Sequence, residues 1–288
     1  MRIALATLCL ILAAPLAAPL AGAHDAPDTL AKIRATKAIT LAYGPDALPF
    51  SYADGSGQPG GYSVDLCQRI VAGIERQLGL ENIEITWIGA PTPERLALIA
   101  EGKADLDCGN TTITLDRQEV VDFSNIIFIE SGGVVVKADS RVESLADLAG
   151  KKVAVIKGTT TAQRLRSTLE DKLVKATIVE VKDGEAGWRL LEEGQVDAYA
   201  GDRVVLVGKA GQSGHPEDFA MLAEDFSLDP YGLALPRGDA DFRLAVNRTL
   251  AHLYGSSEIL QIFRDAFGSK ASPSPLLQAV YILNAYQD

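Results

Sequence analysis

Histidine and cysteine are scarce in this sequence, three of each in 288 residues. His24, His215 and His252 lie far apart, and no C-x-x-C or H-x-x-x-H spacing occurs, so the ligand sets that hold zinc or a redox metal are missing and no cofactor is expected. Cys9 falls inside an N-terminal apolar run and too early for a lipidated terminus, which leaves Cys67 and Cys108. Cys67 belongs to the apolar stripe of a helix and Cys108 to a strand end, so one bridge and two separate buried thiols are both open. Basic residues are outnumbered, 27 Lys and Arg against 38 Asp and Glu, for a formal charge of −11. That balance argues against nucleic acid or an anionic membrane as partner. A long apolar run occurs once, from Ile3 through Leu20 after Arg2, and it ends in Ala21-Gly22-Ala23, a small-x-small cleavage signal. Residues 1–23 therefore read as a secretory signal peptide, and the mature protein is expected to be soluble in an oxidising compartment.

The remaining length is enough for two lobes. Strand and helix patterns alternate: a strand at Ile39 to Tyr43, a helix capped by Ser63 with Cys67, Ile70, Val71, Ile74 and Leu78 on one face, a strand at Ile83 to Ile88, and a helix opened by Thr92-Pro93 and stopped at Gly102. This order predicts an α/β fold with parallel sheets. The segment Glu101-Gly102-Lys103-Ala104-Asp105-Leu106-Asp107-Cys108-Gly109-Asn110 matches Glu193-Gly194-Gln195-Val196-Asp197-Ala198-Tyr199-Ala200-Gly201-Asp202 without a gap. Each copy follows an amphipathic helix and delivers a polar residue, Asn110 or Asp202, at the C-terminal end of a strand, where open α/β sheets bind ligands. Two lobes of one construction are expected, with the glycines Gly132 and Gly133 in a segment that crosses between them.

The stretch from Asp105 to Gln118 is where the chemistry is expected. Thr114 caps a helix whose first turn holds Leu115, Asp116 and Arg117. A cation there opposes the helix dipole by ~0.3–1 kcal/mol, which makes sense beside a bound anion; a surface pair with Asp116 or Glu119 is the alternative. Together Arg117, Asp202, Asn110, the hydroxyls and N–H groups of Thr111 and Thr112, and Thr160 in the turn Lys157-Gly158-Thr159-Thr160-Thr161 complement a zwitterion.

Those residues, with Gly61-Tyr62-Ser63-Val64-Asp65-Leu66 and Asp122-Phe123-Ser124, resemble the extracellular solute-binding proteins of family 3, over nearly all of the mature chain. The resemblance implies a two-lobed periplasmic-binding-protein fold of type II, each lobe a central sheet flanked by helices, with one lobe from 38–129 plus 231–288 and the other from 133–229. It also implies a periplasmic monomer that binds a small amino acid ligand and serves the membrane permease of an ABC importer. Arg117 would take the ligand α-carboxylate with the N–H groups of Thr112 and Thr160, and Asp202 and Asn110 would take the α-ammonium. Phe50 and Tyr52 would line the cleft. Asp107-Cys108-Gly109-Asn110-Thr111-Thr112 followed by Leu115-Asp116-Arg117-Gln118, and the tail Pro273-Ser274-Pro275-Leu276-Leu277, are similar to the glutamate/aspartate binders, where Arg95 matches a side-chain carboxylate ligand. The second basic residue of that subfamily falls at Gly44 and its second-lobe histidine near Gly184. Arg95 is then the basic group left for an acidic side chain, with a polar neutral amino acid as the alternative ligand and pairing with Glu94 or Glu101 as the alternative role of Arg95. A cyclohexadienyl dehydratase-like enzyme, for which Asp46, Asp107 and Glu185 are the available carboxylates, and a periplasmic sensor or redox-accessory protein are the competing classes.

Overall fold

The computed structural model describes residues 28–287, so the expected signal peptide lies outside the described residues. The first sheet is built on Ala38–Tyr43, with Glu84–Gly89 on one side and Leu106–Asp107 on the other, both parallel. Val121–Phe123 pairs antiparallel with Ala234–Pro236 beside it. Helices Tyr62–Leu78, Ala240–Tyr254 and Glu258–Phe267 cover this lobe, and the helical spacing of Cys67, Ile70, Val71 and Ile74 turns all four into one buried cluster. The first of these helices starts one residue before the expected Ser63 cap. Gly61 is its N-cap at φ +114°, and a Cβ there would lie 2.6 Å from the Phe50 carbonyl, so the turn into the helix requires glycine.

The second sheet runs Thr177–Val181, Lys152–Ile156, Ala198–Asp202, Phe128–Lys137, Phe219–Met221, the first three mutually parallel and Phe128–Lys137 antiparallel to both neighbours. Its core holds Val134, Val136, Val153, Val155, Leu165 and Leu169. The strand Phe128–Lys137 starts in the first lobe's core with Phe128 and ends in the second's with Val134 and Val136. Ser227–Tyr231 returns alongside it, antiparallel, with Glu130 opposite Asp229. Gly132 and Gly133 thus lie in a segment that crosses between the two cores, as expected, and there they are ladder residues of one continuous strand. The reason at Gly132 is close approach: a Cβ would stand 2.5 Å from both the Phe226 ring and the Ser227 hydroxyl.

The internal repeat has a physical basis. In each copy a glycine in the left-handed region, Gly102 at φ +68° and Gly194 at φ +67°, ends the preceding helix. The central aspartate of each copy then accepts a backbone N–H of the neighbouring strand, Asp105 from Thr40 and Asp197 from Lys152, both at 2.8 Å. Each also pairs with a lysine, Lys32 at 2.7 Å and Lys151 at 3.5 Å.

Cys67 and Cys108 form a disulfide, with Cα atoms 6.1 Å apart, joining the Tyr62–Leu78 helix to the end of the Leu106–Asp107 strand across 41 residues of chain. A cross-link of that span restricts the unfolded chain enough to contribute ~2–4 kcal/mol. Reduction is expected to lower the calorimetric melting temperature by roughly 5–15 °C, and an unchanged melt in reductant would refute a stabilising role.

Candidate functional site

The two copies of the repeat meet. Asn110, ending the first, donates from Nδ2 to Asp202, ending the second, at 2.8 Å. The turns after both strands thus close on one another over a cavity lined from both lobes, with ≈ 740 Å³ of empty space including the part open to solvent. Three further contacts bridge the cleft. The Thr112 and Thr160 hydroxyls lie 3.2 Å apart, the Gly184 N–H donates to the Asp46 carboxylate at 2.8 Å, and the Tyr231 hydroxyl donates to Asp202.

Asp202 is the N-cap of the helix Arg203–Gln212, yet its side chain makes no capping bond. Its oxygens instead accept from Asn110, from the Thr161 hydroxyl at 3.2 Å and from Tyr231. Burial raises the pKa of this carboxyl, and the three donors oppose that shift. Arg117 stands across from it. Its backbone N–H is capped by Thr114 at 3.1 Å and its Nη1 donates to the Thr112 carbonyl at 2.6 Å, a bond that turns the guanidinium back toward the cavity. Burial lowers the pKa of Arg117, while the carboxylates of Asp107 and Asp202 pull the other way. Among the described residues it has no ion pair with Asp116 or Glu119.

Arg95 lines the cavity, as the first of its two expected placements requires. It is 2% exposed, so it does not lie on a solvated face beside Glu94 or Glu101. Its Nε donates to Asp107 at 2.7 Å, Nη1 to the Ala90 carbonyl at 3.0 Å, and Nη2 to the hydroxyls of Thr92 and Thr111 at 3.1 and 3.2 Å. The Thr111 hydroxyl donates on to Asp107 at 2.6 Å. A Cβ at Gly44 would come within 2.9 Å of this guanidinium, and one at Gly109 within 2.2 Å, so both positions must be bare for Arg95 to fit. Arg95 borders the cavity, but Asp107 already neutralises its charge.

Three expected residues are not at the cavity. Phe50 is fully buried in an aromatic cluster, its ring centroid 4.7 Å from Phe128, 5.3 Å from Tyr231 and 5.5 Å from Phe267. An aromatic with no polar task gains more from that core than from a wet cleft. Tyr52 belongs to a small hairpin and packs over Gly60. The side chain of Thr111 is used up by Arg95 and Asp107. Conversely, Tyr231, Thr161 and Lys209 are at the site and were not singled out from sequence, and Asp46, weighed there only as a catalytic carboxylate, also lines it. Lys209 had a readable signal: it follows Asp202 by seven residues, two helical turns on one face. The acids offered for catalysis do not converge, since Asp46 holds Gly184, Asp107 holds Arg95, and Glu185 is exposed.

With this geometry in view, the comparisons with known proteins agree. The profile of the bacterial extracellular solute-binding proteins, family 3, matches residues 39–269. The L-glutamate/L-aspartate-binding protein of Pseudomonas aeruginosa is 32% identical over 267 residues, covering 92% of this chain and 88% of the relative. The glutamate/aspartate import solute-binding protein of Escherichia coli K12 is 29% identical over 270 residues, 92% of this chain and 89% of that protein. Among solved structures, the cysteine-binding protein of Campylobacter jejuni superposes with a TM-score of 0.75 at 24% identity, over 85% of this chain and 97% of that one. The architecture is thus that of the type II periplasmic-binding proteins.

Proposed function

The chain belongs to the bacterial extracellular solute-binding proteins, family 3, and from that premise we propose that it captures an acidic L-amino acid in the periplasm and presents it to an ABC importer. It is a solute-binding protein and not an enzyme, as are the relatives it matches. The observation that carries the ligand class is the pairing of Arg117 with Asp202 and Asn110 across one cavity. A cation from one lobe and an anion from the other, both half-buried, are the complement of an α-carboxylate and an α-ammonium on one carbon. Hydrogen bonds to charged groups contribute ~1.5–3 kcal/mol each, and the bidentate fork of arginine adds geometric selectivity. The acidic side chain is supported by the two relatives named for glutamate and aspartate and by the one cavity lysine that has no partner among the described residues, Lys209.

In this reading residues 38–129 and 231–288 form one lobe and 133–229 the other, and Phe128–Lys137 with Ser227–Tyr231 are the hinge. Ligand touching both lobes favours the closed arrangement, and the membrane permease reads closure. A thermal-shift screen of the twenty amino acids tests this, because a ligand at 100 times its Kd stabilises by ~2.7 kcal/mol. Glutamate or aspartate should give the largest upward shift. A flat response to all twenty would refute the reading.

A further inference from the structure

We infer that Lys209 is the residue that selects an acidic side chain, meeting the ligand's distal carboxylate from the second lobe. This deepens the amino-acid-binding reading and rests on it. Lys209 lines the cavity and is only 7% exposed, yet its ammonium has no hydrogen bond or ion pair with any described residue. A buried cation without a partner is costly, so a site that keeps one is completed by an anion. The carboxylates lining the same cavity do not supply it. Asp46 accepts from the Gly184 N–H at 2.8 Å, Asp183 caps Ala186 at 2.8 Å and pairs with Lys182 at 3.2 Å, and Asp202 has three donors.

Placement fits the role. On the Arg203–Gln212 helix seven residues rise ~10 Å, so Lys209 stands two turns beyond the Asp202 cap on the same face, and its four-carbon stem can reach back toward a ligand whose ammonium sits at Asp202. Gly184 makes room for that stem: a Cβ there would fall 3.0 Å from Lys209 Cε and 2.9 Å from the Asp46 carboxylate. Arg95, the alternative cation, is held by Asp107 at 2.7 Å and carries no free charge to the site.

The test is calorimetric titration of the full mature chain, wild type and Lys209→Met, with glutamate, aspartate, glutamine, asparagine and arginine. Wild type should prefer the acids to their amides, and Lys209→Met should lose at least ~30-fold in affinity for the acids while changing by less than about 3-fold for the amides. Lys209→Gln, which keeps a polar tip, gives the same comparison should the methionine variant fold poorly. Equal losses for acids and amides, no loss for either, or a wild type that prefers arginine would overturn the role of Lys209 while leaving the amino-acid reading intact. A wild type that binds none of the five would overturn both.

Discussion

Replacing Arg117 by alanine is expected to remove detectable binding of every amino acid, whatever its side chain. In the proposed reading the guanidinium faces the part of the ligand that all amino acids share, and without it the α-carboxylate would be buried with no cation. Breaking a buried pair in this way costs ~3–5 kcal/mol, a loss of some hundredfold to several thousandfold in Kd. Because Arg117 has no ion pair among the described residues and its helix is one turn long, the fold should tolerate the change, and the melting curve of the ligand-free variant is the control. Titration giving near wild-type affinity would take Arg117 out of the site.

Glu130 leads to the second large effect. It lies on one hinge strand opposite Asp229 on the other, 3% exposed, with Oε1 accepting the Ser131 N–H at 2.8 Å and Oε2 buried with no well-formed hydrogen bond among the described residues, the Val204 N–H only weakly favouring its charge. Burial above all, then the charge of Asp202, pushes its pKa up from 4.5 to about 8. The folded state therefore holds this proton more tightly than the unfolded chain. The resulting stability is fully present below pH 4.5, is lost progressively as pH rises toward 8, and is gone above it. By linkage the loss is at most about 5 kcal/mol. Denaturant melts across pH 5–9 should show wild type weakening with pH and Glu130→Gln weakening less, so that the variant becomes the more stable protein near pH 8. Burial raises Asp229 and Asp202 in the same direction, so a residual slope should persist. Parallel pH profiles for the two proteins would defeat this account.

Much of the fold was legible because its signals are local. The spacing of Ile70, Val71 and Ile74, the capping of the short helix by Thr114, and the twin segments ending at Asn110 and Asp202 each encode geometry within a dozen residues. The site was legible where it repeats that encoding, at the ends of strands. It was not where partners are far apart in sequence. Nothing near Asp107 indicates that it turns inward to hold Arg95, and nothing near Tyr231 indicates that its hydroxyl reaches Asp202. Lys209 carries the seven-residue spacing from Asp202, but that signal competes with a plainer one, a cation in the last turn of a helix that ordinarily faces solvent and complements the dipole. Phe50 reads as a loop aromatic because the core that buries it is assembled from segments as distant as Phe128 and Phe267.

The Cys67–Cys108 bridge stands two residues before Asn110 and four before Thr112, and Arg95 packs the same turn from the other side through Thr111. On the proposed reading, the first lobe's half of the binding surface is therefore preorganised: it is covalently tethered to a core helix and gives up little disorder when ligand arrives. Arrival should then proceed in two unequal stages, a docking onto this fixed half followed by the swing of the second lobe with Asp202, Thr160 and Lys209. Affinity would be set mainly by how fast that swing reverses, so cutting the bridge should erode residence time by slackening the docking platform even where the closed contacts are unchanged.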